Sequence, residues 1–144
     1  MKIYNKNGSM EEASFENEPG CQALRHTAAH ILAQAVKRLY PEAKCAIGPA
    51  IADGFYYDFE FDFEFSSEHF DIDQKFTPED LVKIEAEMKK IVKENLQLRH
   101  FVLSREEALR LMESKNEPYK IELIQDLPED ATLQFYQQGD YVEL

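Results

Sequence analysis

Two histidines four residues apart, His26 and His30 in the stretch HTAAH, are the residues of this chain whose types and spacing could do chemistry. Because an α-helix turns by about 100° per residue, two positions four apart lie on nearly the same face. Imidazoles placed in this way can hold a water, an anion or a metal ion, and they exchange protons at about neutral pH. The spacing is necessary for such a site but not sufficient, since most His-x-x-x-His pairs are structural.

The neighbouring positions predict a helix from about Cys21 to Tyr40, which ends because Pro41 cannot donate a helical hydrogen bond. One side of this helix carries an apolar stripe, made of Leu24, Ala28, Ile31, Leu32, Ala35, Val36 and Leu39. The histidines fall on the opposite side, with Ala33 and Lys37. We therefore predict that both histidines face away from the core, beside small residues that leave room for a ligand.

Zinc binding is one alternative for the pair, but a zinc site needs a third and usually a fourth protein ligand or water. The remaining candidate ligands have no paired spacing of their own; they are Cys21, Cys45, His69 and His100. The zinc-protease motif requires glutamate directly after the first histidine, and Thr27 stands there instead. The sequence thus excludes that protease class, and zinc binding by His26 and His30 stays possible but is not supported by these residues alone.

The charge of the chain limits its partners. Its 144 residues include 28 acidic and 16 basic side chains, for a net charge of −12. A nucleic-acid duplex is normally bound by a dense basic patch. We expect weak nucleic-acid binding by these residues alone.

Composition also bears on location. The two cysteines are too few for a disulfide framework, and no apolar run approaches the roughly 20 residues that cross a bilayer. We expect a cytoplasmic protein without a membrane segment.

Helical and extended patterns alternate irregularly along the rest of the chain, which predicts an antiparallel α+β fold. Further helices are expected from Thr77, as N-cap, to about 96, from Ser104 to about 114 and within 117–125, and strands within 44–65, at 100–103 and on both sides of Gly139. The helix after Thr77 is expected to pack one face on the sheet. Residues 1–20 are polar and are expected to be a loosely held extension.

The stretch from Phe55 alternates aromatic and acidic residues, which predicts a half-buried antiparallel strand. Its acidic side chains are Asp58, Glu60, Asp62 and Glu64. Residues on one face of a strand do not converge on a point, so we interpret them as a solvated face rather than a calcium site. Gly48 and Gly54 are expected at turns or at close approaches of the backbone.

The stretch LRHTAAHILAQAVKRLYPEAKCAIGPAIADGFYYDF, residues 24–59, resembles the amino-terminal editing domain of the threonyl-tRNA synthetases. The combination of His-x-x-x-His, AIGP and GFYYD is far more specific than any single piece, and the related alanyl-tRNA synthetase editing domain lacks the GFYYD context. The resemblance implies a threonyl/alanyl editing-domain fold over residues 21–144. It also implies that this domain is incomplete, because the family's Cys-x-x-x-His motif would follow Leu144.

The resemblance further implies hydrolysis of serine wrongly esterified to the threonine tRNA. Serine lacks one methyl of threonine, which is worth only about 1–3 kcal/mol of discrimination and makes a second, proofreading site necessary. The parent enzyme would join threonine to its tRNA and act as a homodimer. ATP, magnesium and zinc are expected only in its aminoacylation domain, outside these residues, and no cofactor is expected within them.

By the resemblance, His26 and His30 hold the terminal ribose of the tRNA and the hydrolytic water. Lys120 would stabilise negative charge at the scissile ester, and Tyr57 and Glu143 would contact the substrate, with Glu143 standing where relatives commonly have aspartate. Residues 1–144 alone are expected to have weak or no activity. Two alternatives stay open: a zinc-dependent deacylase of the alanyl-editing kind, and a non-catalytic module that positions tRNA or a neighbouring domain.

Overall fold

A computed structural model of the chain describes residues 1–60 and 76–144. In order along these described residues, the elements are β1 (Lys2–Tyr4), β2 (Met10–Glu12), α1 (Glu18–Leu39), β3 (Lys44–Cys45), β4 (Ala50–Ile51), β5 (Gly54–Phe55), β6 (Phe59–Glu60), α2 (Pro78–Glu94), β7 (Leu98–Leu103), α3 (Arg105–Ser114), α4 (Pro118–Asp126), β8 (Leu133–Gln138) and β9 (Tyr141–Glu143). The mixture of helices and antiparallel strands confirms the predicted α+β class.

The strands form several small sheets. β7, β8 and β9 make a three-stranded antiparallel sheet, while β1 pairs with β2, β3 with β6 and β4 with β5, all antiparallel. The β8–β9 turn contains Gly139 at φ 62°, a left-handed conformation that favours glycine. The strands predicted on both sides of Gly139 are therefore confirmed.

Helix α1 begins at Glu18, three residues before the predicted start at Cys21. The side chain of Asn17 accepts a hydrogen bond from the backbone N–H of Gly20 at 3.0 Å and caps the helix. Pro19 lies in the first turn, where a missing N–H costs no helical hydrogen bond. Pro19 and Gly20, which the sequence pattern places before the helix, thus belong to its first turn.

The prediction that the histidine side of α1 faces away from the core is wrong for His30, which is only 4% exposed, and for Ala33, which is fully buried. The apolar side is buried as predicted at Ala35 and Val36, while Leu24 is exposed. Helix α1 is covered on a second side by β1, β4 and β5. A helix wrapped on two sides buries residues that a single apolar stripe assigns to solvent.

The helix α2 starts as predicted, with a capping box in which Thr77 and Asp80 satisfy each other's backbone N–H groups. Its apolar residues Ile84 and Ile91 are buried in one cluster with Val36 of α1. The expected packing on a sheet is therefore wrong, since α2 packs mainly against α1. Leu81, predicted in the same stripe, is 57% exposed.

A second core lies between the three-stranded sheet and helices α3 and α4. Its buried residues are Ala108, Met112, Ile124, Leu133 and Phe135. The side chain of Ser104 caps α3 by accepting from the N–H of Glu107 at 3.2 Å. Both helices lie where the sequence predicts them. In the sheet that they cover, Tyr136 of β8 pairs with Glu143 of β9.

The single strand predicted from Phe55 onward is interrupted. β5 pairs with β4, whereas β6 pairs with β3, so the chain changes partner between them. The predicted alternation of burial is confirmed from Tyr56 to Glu60, and the acidic side chains of Asp58 and Glu60 are exposed. Asp62, Glu64 and His69 lie outside the described residues.

Residues 1–12 form a hairpin rather than the predicted loose extension. Tyr4 stacks on His100 of β7, with ring centroids 3.7 Å apart, and Nε2 of Gln134 donates to the carbonyl of Asn5 at 2.9 Å. These contacts dock the hairpin on the three-stranded sheet. In the part of the chain that the structure describes, no helix is long and apolar enough to cross a membrane.

Candidate functional site

A cleft of about 690 Å³ contains both histidines of the HTAAH stretch. One wall is the first turns of α1, and the opposite wall is β1 of the N-terminal hairpin. Pro49, Ala50, Leu98 and Tyr136 line the remainder. The hairpin that the sequence presents as a loose extension is thus part of the candidate site.

The two imidazoles contact each other, as the four-residue spacing predicts. Their ring centroids are 4.2 Å apart, with a 60° angle between the planes. Tyr136 of β8 lies against both, at 6.1 Å from His26 and 5.9 Å from His30. Sequence reasoning missed Tyr136, although strand alternation places it on the face opposite the buried Phe135.

Burial keeps both imidazoles neutral at about pH 7. It lowers the pKa of His30 to about 3, against the charge of Glu143, which raises it, while His26 and Lys120 lower it further. The pKa of His26 is also lowered by burial, with the same opposing effects of Glu143 and Lys120. Neutral imidazoles can accept a proton or a hydrogen bond.

One ring nitrogen of the pair is left without a partner. Among the described residues, none hydrogen-bonds to the buried Nε2 of His30. A buried polar atom without a partner is costly and uncommon in folded proteins. The site therefore retains a buried polar atom that a water or a substrate hydroxyl would satisfy.

The predicted residues Tyr57, Lys120 and Glu143 form a buried network with Tyr141, which the sequence did not select; these four residues are here called the Glu143 network. Lys120 and Glu143 form an ion pair and are only 6% and 3% exposed. Nζ of Lys120 also donates to Oη of Tyr57 at 3.0 Å, and Tyr57 donates to Oε2 of Glu143 at 2.7 Å. The hydroxyl of Tyr141 donates to the same carboxylate oxygen.

The protonation states of Glu143 and Tyr57 follow from their burial and from their partners in this network. Burial acts to raise the pKa of Glu143, but the charge of Lys120, then that of His30 where it is protonated at low pH, and the hydrogen bonds from Lys120 and Tyr141 outweigh it, so that pKa is lowered. Burial and the charge of Glu143 raise the pKa of Tyr57 far above its ordinary value. The carboxylate is thus ionised and the phenol protonated at about neutral pH.

The structure places the five residues that the sequence selects in two groups, the histidine pair and the trio of Tyr57, Lys120 and Glu143. Tyr57, Lys120 and Glu143 contact one another directly, although 63 and 86 positions separate Tyr57 from the other two. They do not line the histidine cleft, but Glu143 and Lys120 act electrostatically on both imidazoles. The site therefore has an open part with the histidines and a closed part with the ion pair.

Gly48 of the AIGP stretch makes the Glu143 network possible. A Cβ atom at this position would lie 2.0 Å from the ring of Tyr57, so only glycine allows that ring to approach. A Cβ at Gly54 would meet no atom within 4 Å. The prediction that these glycines lie at turns or close approaches is confirmed at both: Gly48 lies at a close approach, and Gly54 directly follows the two-residue turn between β4 and β5.

The residues present do not complete a metal site. Within residues 1–60 and 76–144, no three histidine, cysteine or acidic side chains are arranged to hold a metal ion. Burial, with the charges of Glu117 and Glu143, raises the pKa of Cys45 to about 12, which disfavours the thiolate that metals bind. The described residues offer a metal two imidazoles and no third ligand.

The sequence of this chain is similar to that of known proteins. No family model matches the chain. All 144 residues are 56% identical to part of the Threonine--tRNA ligase of Clostridium novyi and 61% identical to part of that of Clostridium botulinum strain Langeland. Over 140 residues, 97% of the chain, it is 57% identical to the Threonine--tRNA ligase of Clostridium kluyveri strain ATCC 8527.

The chain spans 21% of the first two relatives and 20% of the third. The similarity runs through the histidine pair, the AIGP and GFYYD stretches and the closing strands, since it covers the chain from end to end. It confirms the predicted resemblance: along its whole length this chain is similar to one segment of the threonyl-tRNA synthetases.

Proposed function

We propose that these residues form the editing portion of a threonyl-tRNA synthetase, which hydrolyses serine from wrongly charged threonine tRNA. The observation that carries the proposal is the pair of neutral imidazoles in the cleft, one with a buried nitrogen that has no partner among the described residues, together with a buried ion pair that acts on both. Similarity to Threonine--tRNA ligases along the whole chain supports the choice of an aminoacyl ester as substrate.

The reaction needs a base for the attacking water and stabilisation of the oxyanion. Water attacks the ester carbonyl, the base takes its proton, and the carbon–oxygen bond to the ribose breaks as the ribose oxygen regains a proton. A base works best when its pKa lies near the working pH. The pKa of about 3 makes His30 a poor base, so His26 takes the proton and Nε2 of His30 holds the water or a ribose hydroxyl.

Lys120 supplies a positive charge that acts on both histidines. Its ammonium is bonded to Glu143 and Tyr57, so it does not reach into the cleft in this arrangement. A preorganised charge in a buried site stabilises developing negative charge without reorganising when the reaction occurs. In this proposal Lys120 stabilises the oxyanion, and Tyr57 and Glu143 hold its ammonium in place.

The longer protein supplies the remaining functions. Its aminoacylation domain binds ATP, magnesium and zinc, joins threonine to the tRNA, and forms the homodimer. The net charge of −12 on these 144 residues opposes binding of a polyanion, so affinity for the threonine tRNA comes mainly from elsewhere. The cleft receives only the acceptor end that carries the amino acid.

Deacylation of serine-charged threonine tRNA tests the proposal. The chain would be compared with a version that continues past Leu144 into the family's Cys-x-x-x-His motif, each with His26→Ala, His30→Ala or Leu24→Ala. Leu24 lies exposed on the same helix and serves as the matched control. We expect activity in the longer version, lost with either histidine and retained in the control.

Two results would contradict the proposal. One is equal deacylation by the histidine variants and the control. The other is no deacylation by a correctly folded longer version. Loss of activity on treatment with a metal chelator, with stoichiometric zinc in the untreated protein, would instead support a zinc-dependent deacylase that uses the same two histidines.

A further inference from the structure

The hydroxyl groups of two tyrosines converge on one carboxylate oxygen of Glu143. Tyr57 comes from the segment between β5 and β6, and Tyr141 from β9, yet both donate to Oε2. The other oxygen, Oε1, forms the ion pair with Lys120. The two oxygens of a symmetric carboxylate thus have different partners.

Tyr141 occupies its position for a simple geometric reason. It stands two residues before Glu143 on β9, and residues two apart on a strand project to the same face. Pairing of Tyr141 with Gln138 and of Glu143 with Tyr136 fixes this strand on β8. The phenol is therefore held beside the carboxylate by the backbone register itself.

Each partner removes a freedom that the carboxylate would otherwise have. With two O–H donors on one carboxylate oxygen and the ammonium on the other, turning the carboxylate plane away from this orientation would weaken all three charge-assisted interactions. The carboxylate plane in which one oxygen faces Lys120 and the other faces both phenols is then the one that satisfies every donor. The ammonium is also held by Oη of Tyr57, at 3.0 Å.

We propose that Tyr141 is a positioning residue of the histidine site, whose hydroxyl, together with that of Tyr57, fixes the carboxylate of Glu143 and through it the ammonium of Lys120. The functional part of this inference, that Tyr141 supports catalysis, rests on the proposed hydrolysis. The geometric part, that Tyr141 holds Lys120 in place, is independent of the proposed hydrolysis. Tyr141 itself is not among the described residues that line the cleft.

Two measurements on Tyr141→Phe and on Tyr56→Phe, the matched control, test the inference. Tyr56 adjoins Tyr57 and is 45% exposed, so it loses the same hydroxyl without touching the Glu143 network. The first measurement is the NMR signal of the Lys120 ammonium in protein with nitrogen-labelled lysine, identified by its absence in Lys120→Met. A buried, hydrogen-bonded ammonium exchanges its protons slowly enough to be seen.

We expect this ammonium signal in the unmodified chain and in Tyr56→Phe, and its broadening or loss in Tyr141→Phe. Tyr57→Phe is a second variant with the same expected result. Equal signals in Tyr141→Phe and Tyr56→Phe would overturn the inference. Thermal unfolding of each variant checks that the fold is retained, since a phenylalanine keeps the packed ring.

The second measurement is steady-state deacylation by the version of the chain that is active. We expect kcat of Tyr141→Phe to fall about tenfold, as for the loss of a residue that orients a functional one, with KM changed by less than about twofold. A purely structural role would not separate kcat from KM in a folded variant. An unchanged kcat would overturn the functional part even if the ammonium signal is lost.

The proposed function and this inference fail in different ways. If no version of the chain deacylates the tRNA, the hydrolysis proposal fails, and the ammonium signal still decides whether Tyr141 holds Lys120. If deacylation occurs but Tyr141→Phe equals Tyr56→Phe in both measurements, only the inference fails.

Discussion

The histidine cleft and the Glu143 network differ in how completely their polar atoms are bonded. In the cleft, Nε2 of His30 has no partner among the described residues. In the network, both oxygens of Glu143 and the ammonium of Lys120 have close partners. A ligand that bonds to an unsatisfied atom displaces no existing hydrogen bond, whereas a satisfied atom must first break one.

Because of this difference, the histidine cleft and the Glu143 network are suited to different functions. The cleft is suited to accept hydrogen bonds from a substrate, because both of its imidazoles are neutral. The network is suited to hold a fixed charge, because its members are buried and mutually neutralised. We therefore expect substitutions in the Glu143 network to lower stability, and substitutions in the histidine cleft to lower activity with little loss of stability.

The largest effect is expected from breaking the buried ion pair. Lys120→Met leaves Glu143 buried without its counter-charge, which should lower the free energy of unfolding by about 3–5 kcal/mol. Denaturant unfolding measures this loss. The double variant Lys120→Met/Glu143→Gln should lose less, since no unpaired charge remains.

Arg110 and Glu106 provide a matched comparison for this prediction, because their ion pair on α3 is exposed. Arg110→Met should cost less than about 1 kcal/mol. Equal losses in Lys120→Met and Arg110→Met would show that the Glu143 network does not depend on its buried pair.

A smaller effect is expected from crowding the network. In Gly48→Ala the new methyl group would overlap the ring of Tyr57, so the variant should lose about 1–3 kcal/mol. The measurement is again denaturant unfolding. Gly54→Ala is the control, since its methyl group meets no atom within 4 Å and should change stability little. A Gly48→Ala variant as stable as Gly54→Ala would contradict the close approach.

The cleft should make stability depend on pH. The pKa of His30 is about 3 in the folded chain, below its ordinary value, so the unfolded chain binds a proton that the folded chain does not. The stabilisation is present above the ordinary pKa and is lost as pH falls. Between about pH 7 and about pH 5 the loss from this residue is about 2 kcal/mol. Unfolding experiments at both pH values should show a slope that is flatter by this amount in His30→Leu.

The smallest effect on stability is expected for His30→Leu at about pH 7. Replacing a buried nitrogen that lacks a partner by carbon removes an unsatisfied group, so stability should stay the same or rise by up to about 1 kcal/mol. Deacylation by the longer version should be lost. A strong destabilisation at this pH would mean that Nε2 is bonded in solution and that the cleft resembles the network after all.

Local signals in the sequence predicted much of the fold. The caps at Thr77 and Ser104 and the turn at Gly139 were confirmed, because each depends on atoms within a few residues. The hairpin of residues 1–12 was not predicted, since its contacts are with His100 and Gln134, far along the chain. The interruption of the strand predicted from Phe55 was not predicted either, since its two parts pair with different strands, β5 with β4 and β6 with β3.

The sequence by itself determined the chemical identity of the candidate site. Two histidines at helical spacing lie together because the geometry of a helix requires it, and the family resemblance selected Tyr57, Lys120 and Glu143 by type. Only the tertiary structure decided that His30 is buried and neutral, that Tyr136 and Tyr141 join the site, and that Lys120 is bonded to Glu143. Burial and long-range contacts depend on how all elements pack at once, and a local pattern of residues does not contain that information.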